Sequence, residues 1–357
     1  ATASVEAMSN LAQAIARATS KASRAVEQLR GKHFDAWAPG YLRFLAERAR
    51  NQPTVTVKRH LLFAFCDHYE PLWHRPPRDQ SIERVKRWHR DYPTMASDFR
   101  DADGRPPQHS FFFPGEEYDP AYFELIDDLV RRGFGEVELH LHHDGDTAAI
   151  LRDKITSYLD IYAERGHLAR TGDQLRYAFI HGNWCLANSR PDGRWCGVDE
   201  ELPLLFDTGC YADFTFPSVP DVTQPNIVNQ IYWPTGDLAR RRAYEQGEPA
   251  VVGTSYDDRL LMITGPMAVT LRSGGKLVKI ESTGFSSDDP ATDARVTVWV
   301  DQHIHVAGRP EWIFVKIYTH GAPEPEADVL LGREARAMHR TLQRYNDGDR
   351  WRLHYVT

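Results

Sequence analysis

Leu61-Leu62-Phe63-Ala64-Phe65 runs without a break into Cys66-Asp67-His68-Tyr69-Glu70-Pro71, and this junction sets the fold class. An apolar run of strand length that ends on polar, metal-capable side chains marks the rim of a parallel α/β fold, where ligands and reacting groups gather at the carboxyl ends of strands. The pattern recurs three times. Glu136-Val137-Glu138-Leu139-His140-Leu141-His142-His143-Asp144 alternates apolar with polar before it turns. Tyr177-Ala178-Phe179-Ile180 ends in His181-Gly182-Asn183-Trp184, and Phe314-Val315-Lys316-Ile317-Tyr318 ends in Thr319-His320-Gly321.

Apolar runs at 61–65, 110–113, 137–141, 175–180, 211–216 and 313–318 read as strands, with helix-like segments near 81–100, 119–132, 147–165 and 325–345. That alternation predicts βα units and a mostly parallel sheet, open or closed. From Pro217 to Ser287 the rhythm breaks into Pro/Asn-rich loop, then Leu260–Ile263 and Lys276–Ile280 beside the Ser273-Gly274-Gly275 turn, so an inserted β-hairpin region is expected over about 217–287. Upstream, Met8, Leu11, Ile15, Ala18, Ala22, Ala25 and Leu29 alternate spacings of three and four, the stripe of an amphipathic helix. The chain therefore divides into an N-terminal helical extension, 1–58, and a main unit, 59–357. Residues 1–60 hold ten Lys/Arg against four acids, so a homodimer arm, a membrane-surface contact and a helix packed on the main unit are all open.

The chain of 357 residues is 41% hydrophobic and 26% charged, the composition of an ordinary globular enzyme. Its net charge of −7 offers no global basic field, so nucleic acid is not an expected partner. The longest apolar run, Leu61–Cys66, is far short of a membrane span. Cys66, Cys185, Cys196 and Cys210 are too few for a disulfide framework, and they read as reduced thiols, although Cys185 and Cys196 could pair. The compartment stays open between cytoplasm and periplasm, with the cytoplasm preferred. The chain begins at Ala1 without Met and ends on the strand-like Arg352–Thr357, which leaves room for a removed leader and for chain beyond Thr357. No Gly-x-Gly-x-x-Gly, no P-loop and no Gly-x-Ser-x-Gly elbow is present.

Period two places Val137, Leu139 and Leu141 on one face of their strand and Glu138, His140 and His142 on the other, with Asp144 just past its end. Imidazole nitrogen and carboxylate oxygen suit Zn²⁺, Co²⁺, Ni²⁺ or Mn²⁺. Four Asp/His positions within five residues, 140 and 142 to 144, beside the Asp67-His68 pair, point to a divalent metal site. Trp184, Tyr211, Trp233 and Asn183 supply the aromatic planes and amide donors that grip sugar rings, although each aromatic alone is more often core.

The order of these elements resembles the polysaccharide deacetylase family, the NodB-homology fold of carbohydrate esterase family 4. Phe65-Cys66-Asp67-His68 stands where that family has an Asp-Asp pair, and Ser110-Phe111-Phe112-Phe113 where it has a Thr-Phe-Phe-like strand. His140-Leu141-His142-His143-Asp144 stands at its His-x-x-x-His, and Tyr318-Thr319-His320 at its late Leu-His. The resemblance spans roughly residues 60 to 320 and implies a distorted (β/α)7-type barrel. It implies a metal-dependent hydrolase that removes acetyl groups from an N-acetylated sugar or polysaccharide. Asp67 takes the place of the general base or, alternatively, binds metal itself; His320 takes that of the general acid, and His68, His140 and Asp144 of the metal ligands, with His142 or His143 as a substitute third ligand. Ile180-His181-Gly182-Asn183-Trp184 stands in for an Arg-x-Pro-Tyr motif, and Asp213 matches an Asp that orients partners or is a satisfied turn carboxylate. A backbone N–H near Tyr69 is expected to help hold the oxyanion. Two alternatives accompany this reading. One is glycoside cleavage by Asp67 paired with Asp144 or Asp213, which requires carboxylates about 5 to 9.5 Å apart. The other is a carbohydrate-binding or assembly protein that has lost the reaction.

Overall fold

The computed structural model describes residues 33–50, 56–271 and 278–357. The expected amphipathic helix over 1–30 and the Ser273–Gly275 turn lie outside the described residues. The described chain opens with α1 (Phe34–Arg50), followed by β1 (Arg59–His68), α2 (Arg78–Ala96), β2 (His109–Pro114), α3 (Pro120–Arg131), β3 (Gly135–Leu141) and α4 (Ala148–Glu164). Next come β4 (Ala169–Thr171), β5 (Gln174–His181), α5 (Glu201–Asp207) and β6 (Cys210–Asp213), then β7 (Ile231–Pro234), β8 (Gly247–Pro249), β9 (Leu261–Ile263), β10 (Ala268–Leu271) and β11 (Val278–Glu281). The last part holds α6 (Asp293–Asp301), β12 (Trp312–Thr319), α7 (Glu324–Leu330), α8 (Arg333–Leu342) and β13 (Trp351–Val356).

Local chemistry explains the helix starts. Asp119 accepts the Ala121 N–H at 2.9 Å ahead of Pro120, and Thr147 accepts the Ile150 N–H at 3.3 Å, caps that contribute about 1 kcal/mol each. Tyr122, Phe123, Ile126 and Leu129 on α3, and Leu151, Ile155, Leu159 and Tyr162 on α4, keep helical spacing and are buried.

β12, β1, β2, β3, β5, β6 and β9 form a parallel run, and β7 and β8 extend it antiparallel. One sheet face carries Phe63, Phe65, Phe111, Phe113, Leu139 and Phe179 into the main core with the helices. The other gathers Ala64, Cys66, Phe112, Ala178, Ile180 and Ala212 into a smaller apolar cluster. β13 pairs with β1 over Arg59–Ala64, and β2 takes up pairing only at Cys66, so the last strand fills the lower half of that edge.

A closed barrel is not formed by hydrogen-bonded ladders. β9 pairs with β6 on one side and with β7 on the other, so no edge of β9 is left for β12 among the described residues. The gap is crossed instead by Lys316 of β12, whose buried ammonium donates to the Phe214 and Phe216 carbonyls. Within 217–287 only β10 and β11 form a separate hairpin, because β7 to β9 join the main sheet. α1 packs Trp37 and Tyr41 against Val219, Val228 and Met267 of this region. All four cysteines are free and buried, so Cys185 and Cys196 are not paired. No helix among the described residues is long and apolar enough to cross a membrane.

Candidate metal centre

Parallel register brings the strand exits together. Asp67 lies beside Thr319, His68 beside Phe112, Pro114 beside His140, and Leu141 beside His181. The residues that follow these pairs therefore meet at one end of the sheet, and Glu70 is their common point. Its Oε1 lies 3.0 Å from His140 Nε2 and 3.2 Å from His142 Nε2, and its Oε2 lies 3.3 Å from His320 Nδ1. The His68 ring lies 4.8 Å from both the His140 and the His320 ring, tilted to the first and edge-on to the second. Two overlapping sets of three ligand atoms result, Glu70/His140/His142 and His68/Glu70/His320.

The hydrogen bonds assign the tautomers. His140 Nδ1 donates to the Ile180 carbonyl at 2.8 Å, and His142 Nδ1 donates to Glu116 Oε1 at 2.8 Å. Each ring then turns its Nε2 toward the buried Glu70 carboxylate. Acceptors facing an anion repel unless a proton or a cation lies among them, and a carbonyl or carboxylate behind each imidazole is how metal-ligating histidines are oriented. The residues present thus fit a metal ion. His142 and His320 keep 29% and 27% of their side-chain surface, so the group is open on that side, whereas Glu70 and His140 are sealed.

Without an ion, protons on the imidazoles take the place of the cation. Burial alone would raise the Glu70 carboxyl, but the His140, His142 and His320 hydrogen bonds outweigh it and hold the group well below its usual range. Burial, with His320 and His140 beside it, pushes His68 well below 6.5, which keeps it a neutral donor. His142 is the reverse case: burial lowers it, but the Glu116 and Glu70 carboxylates win and raise it to about 10. Glu117, next to Glu116 on the short turn after β2, is lifted to about 7 by burial, with Glu70 and Glu116 adding repulsion. Its Oε2 accepts the Leu72 N–H at 2.8 Å.

Of the residues expected from sequence, His68, His140, His142 and His320 come together. Asp67 does not. It occupies the opposite face of β1 from His68, is fully buried, and is engaged by His109 Nε2 at 2.9 Å and the Gly321 N–H at 2.6 Å. Asp144 is exposed, accepts the Trp195 N–H at 2.6 Å and belongs to neither ligand set at the centre. Asp213 is a satisfied carboxylate: it accepts the Thr215 N–H at 3.0 Å and the Thr215 hydroxyl at 2.7 Å, and burial lifts it to about 7. Asn183 is exposed and Trp184 half-buried on a left-handed turn, and Tyr211 is 38% exposed on β6. His181 is wholly buried in a different group, with His143, Cys196 and Glu201.

Sequence reasoning missed Glu70, Glu116, Glu117 and Trp73, whose ring lies 4.7 Å from that of His320. Glu70 stands two residues after His68, and Glu116 and Glu117 follow the Phe111–Phe113 run. The same rule that selected His68 and His320, polar groups just past an apolar strand, reaches all three acids. The chain gives no match to family models, to curated proteins or to solved structures.

Proposed function

We propose that the protein is a metal-dependent hydrolase that removes acetyl groups from an N-acetylated sugar or polysaccharide, on a distorted (β/α) barrel left open between β9 and β12. The observation that carries the reading is Glu70 enclosed by three imidazoles at the carboxyl ends of parallel strands, with one side open. His140, His142 and Glu70 hold a divalent ion, zinc before Co²⁺, Ni²⁺ or Mn²⁺, and His68 flanks them. Such an ion polarises an amide carbonyl and lowers the pKa of water from about 15.7 towards 7.

Glu117 takes the role that the resemblance gave to Asp67. Its Oε1 is not used by the Leu72 bond, and a carboxyl poised near 7 accepts a proton from water at neutral pH. His320, partly exposed and bonded through Nδ1 to Glu70, has Nε2 left to protonate the departing amine. Trp73, half-buried beside His320, offers the apolar plane against which a sugar ring stacks. The Tyr69 N–H is already bonded to the Phe112 carbonyl at 3.0 Å, so it does not serve a developing oxyanion.

Glycoside cleavage loses its proposed pairs, because Asp67, Asp144 and Asp213 are each engaged away from the centre. A lapsed binding protein would be favoured by ligands retained without a base, and Glu117 is the candidate base that speaks against it. The test is acetate release from N-acetylated oligosaccharides by the metal-stripped chain with each divalent ion restored. Restoration by an ion supports the reading, and ion binding with no release from any such substrate rejects it.

A further inference from the structure

The segment between β5 and α5 carries a second group of metal-capable side chains that the proposed reaction does not use. His143 leaves β3, His181 ends β5, Cys196 lies between, and Glu201 opens α5. One ligand atom from each lies within 4.8 Å of the others. His143 is 5% exposed and the other three are 0% exposed.

Hydrogen bonds fix what each group turns inward. His181 Nδ1 donates to the Gly182 carbonyl, so Nε2 carries a lone pair. That nitrogen is sealed from water, has no hydrogen-bond partner, and lies 3.5 Å from Glu201 Oε1. A lone pair against a carboxylate in a dry site is costly unless a cation lies between them. Cys196 Sγ accepts N–H groups from Asn188 at 3.3 Å and Val198 at 3.5 Å; without an ion, burial and the Glu201 charge push the thiol up and it donates to Glu201 Oε2 at 3.5 Å, a proton that a bound cation would displace. His143 turns Nε2 to Glu201 Oε1 at 3.2 Å, while its Nδ1 lies 3.4 Å from Asp146 Oδ2, a carboxylate gripped by Lys154 at 2.7 and 2.9 Å. Glu201 Oε2 accepts the Ala187 N–H at 2.6 Å. His181, Cys196 and Glu201 are thus held by hydrogen bonds from behind, as ligands of an ion are, and His143 has the Asp146 carboxylate behind it.

We propose that His143, His181, Cys196 and Glu201 bind one zinc ion in a closed, four-coordinate structural site separate from the Glu70 centre. Two imidazoles, a thiolate and a carboxylate form a zinc-type donor set, and two negative ligands balance the charge of a divalent ion in a buried place. Four buried protein ligands leave no position for substrate. A need for such a staple is visible in the chain. Between His181 and Glu201 the only helical pieces are two three-residue turns, and Asn183, Trp184, Ala187, Asn188 and Trp195 all hold positive φ of 50 to 66°. The ion joins both ends and the middle of this segment to the exit of β3. The proposal does not depend on the hydrolase reading.

The test loads the metal-free full chain with Co²⁺ and records its absorption, since a thiolate ligand gives a charge-transfer band in the near ultraviolet that imidazole and carboxylate ligands do not. The band is expected in the wild type and in His140→Ala, and lost in Cys196→Ser. A cobalt-loaded wild type without the band, or a band that survives in Cys196→Ser, overturns the proposal. If Cys196→Ser does not fold, zinc-edge X-ray absorption on His140→Ala decides: one sulfur in the zinc shell supports the site, and none overturns it.

Discussion

His142 and His143 are neighbours in the chain yet serve different buried carboxylates: His142 Nε2 lies 3.2 Å from Glu70 Oε1, and His143 Nε2 lies 3.2 Å from Glu201 Oε1. The exit of β3 therefore links the two groups. Gly182 keeps the link tight, because a Cβ there would come within 2.3 Å of His142 Cδ2.

The division predicts different outcomes for two adjacent substitutions. His142→Ala weakens metal binding at the Glu70 centre and lowers acetate release with little change in Tm. His143→Ala takes the nearer of two imidazoles from the buried Glu201 and costs on the order of 3–5 kcal/mol of stability, with loss of the second ion. Zinc content and thermal unfolding of both variants read the result, and matching behaviour of the pair on both measures would contradict the division.

Glu116 stands behind His142, a ligand in the proposed centre. It accepts the His142 N–H at 3.0 Å and orients the ring through Nδ1 at 2.8 Å. Glu116→Gln is expected to weaken ion binding at this centre by about 10–100-fold. Calorimetric titration of the stripped chain measures it, and an unchanged Kd would assign Glu116 no such role.

As the proposed base, Glu117 would set a pH dependence. A base lifted to about 7 is lost as pH falls through that value, and a bound cation draws the midpoint lower, so the acid limb of kcat/KM lies at or below pH 7. Glu117→Gln is expected to remove this limb and lower the rate by roughly 10²–10⁴-fold. A limb that persists in the variant belongs to another group.

His339 governs part of the acid stability. It is buried against Phe63, its Nδ1 lies 3.1 Å from the Tyr355 hydroxyl, and burial pushes its pKa down to about 3. Between pH 3 and its ordinary 6.5 the unfolded chain binds a proton that the folded chain does not, so stability falls as pH drops below 6.5. The slope from this residue is about 1.4 kcal/mol per pH unit. Urea unfolding at several pH values should show a shallower slope for His339→Gln, and an equal slope would refute the assignment.

The strands were legible where apolar runs are long. The runs at 61–65, 110–113, 137–141, 175–180 and 313–318 all fall within observed strands, whereas 211–216 is a strand only over Cys210–Asp213. Period two placed His140 and His142 correctly on one face, and the same rule sets Asp67 opposite His68, a consequence the motif comparison passed over. α5 and α6 left little periodic signal because they are short, at seven and nine residues. The second group was invisible for a different reason. Its ligands come from four segments spread over 143–201, and only the folded chain brings them within 4.8 Å. Sheet closure was equally hidden, since it turns on β7 taking the outer edge of β9.

Ion-dependent acetate release, compared between the wild type and Glu70→Gln, bears most directly on the account. The metal-stripped wild type should be inactive on N-acetylated oligosaccharide and regain acetate release with Zn²⁺ or Co²⁺, while Glu70→Gln, folded by its unfolding curve, should bind the ion weakly and stay inactive. Acetate release that needs no ion, or that survives in Glu70→Gln, would contradict the assignment of the Glu70 centre.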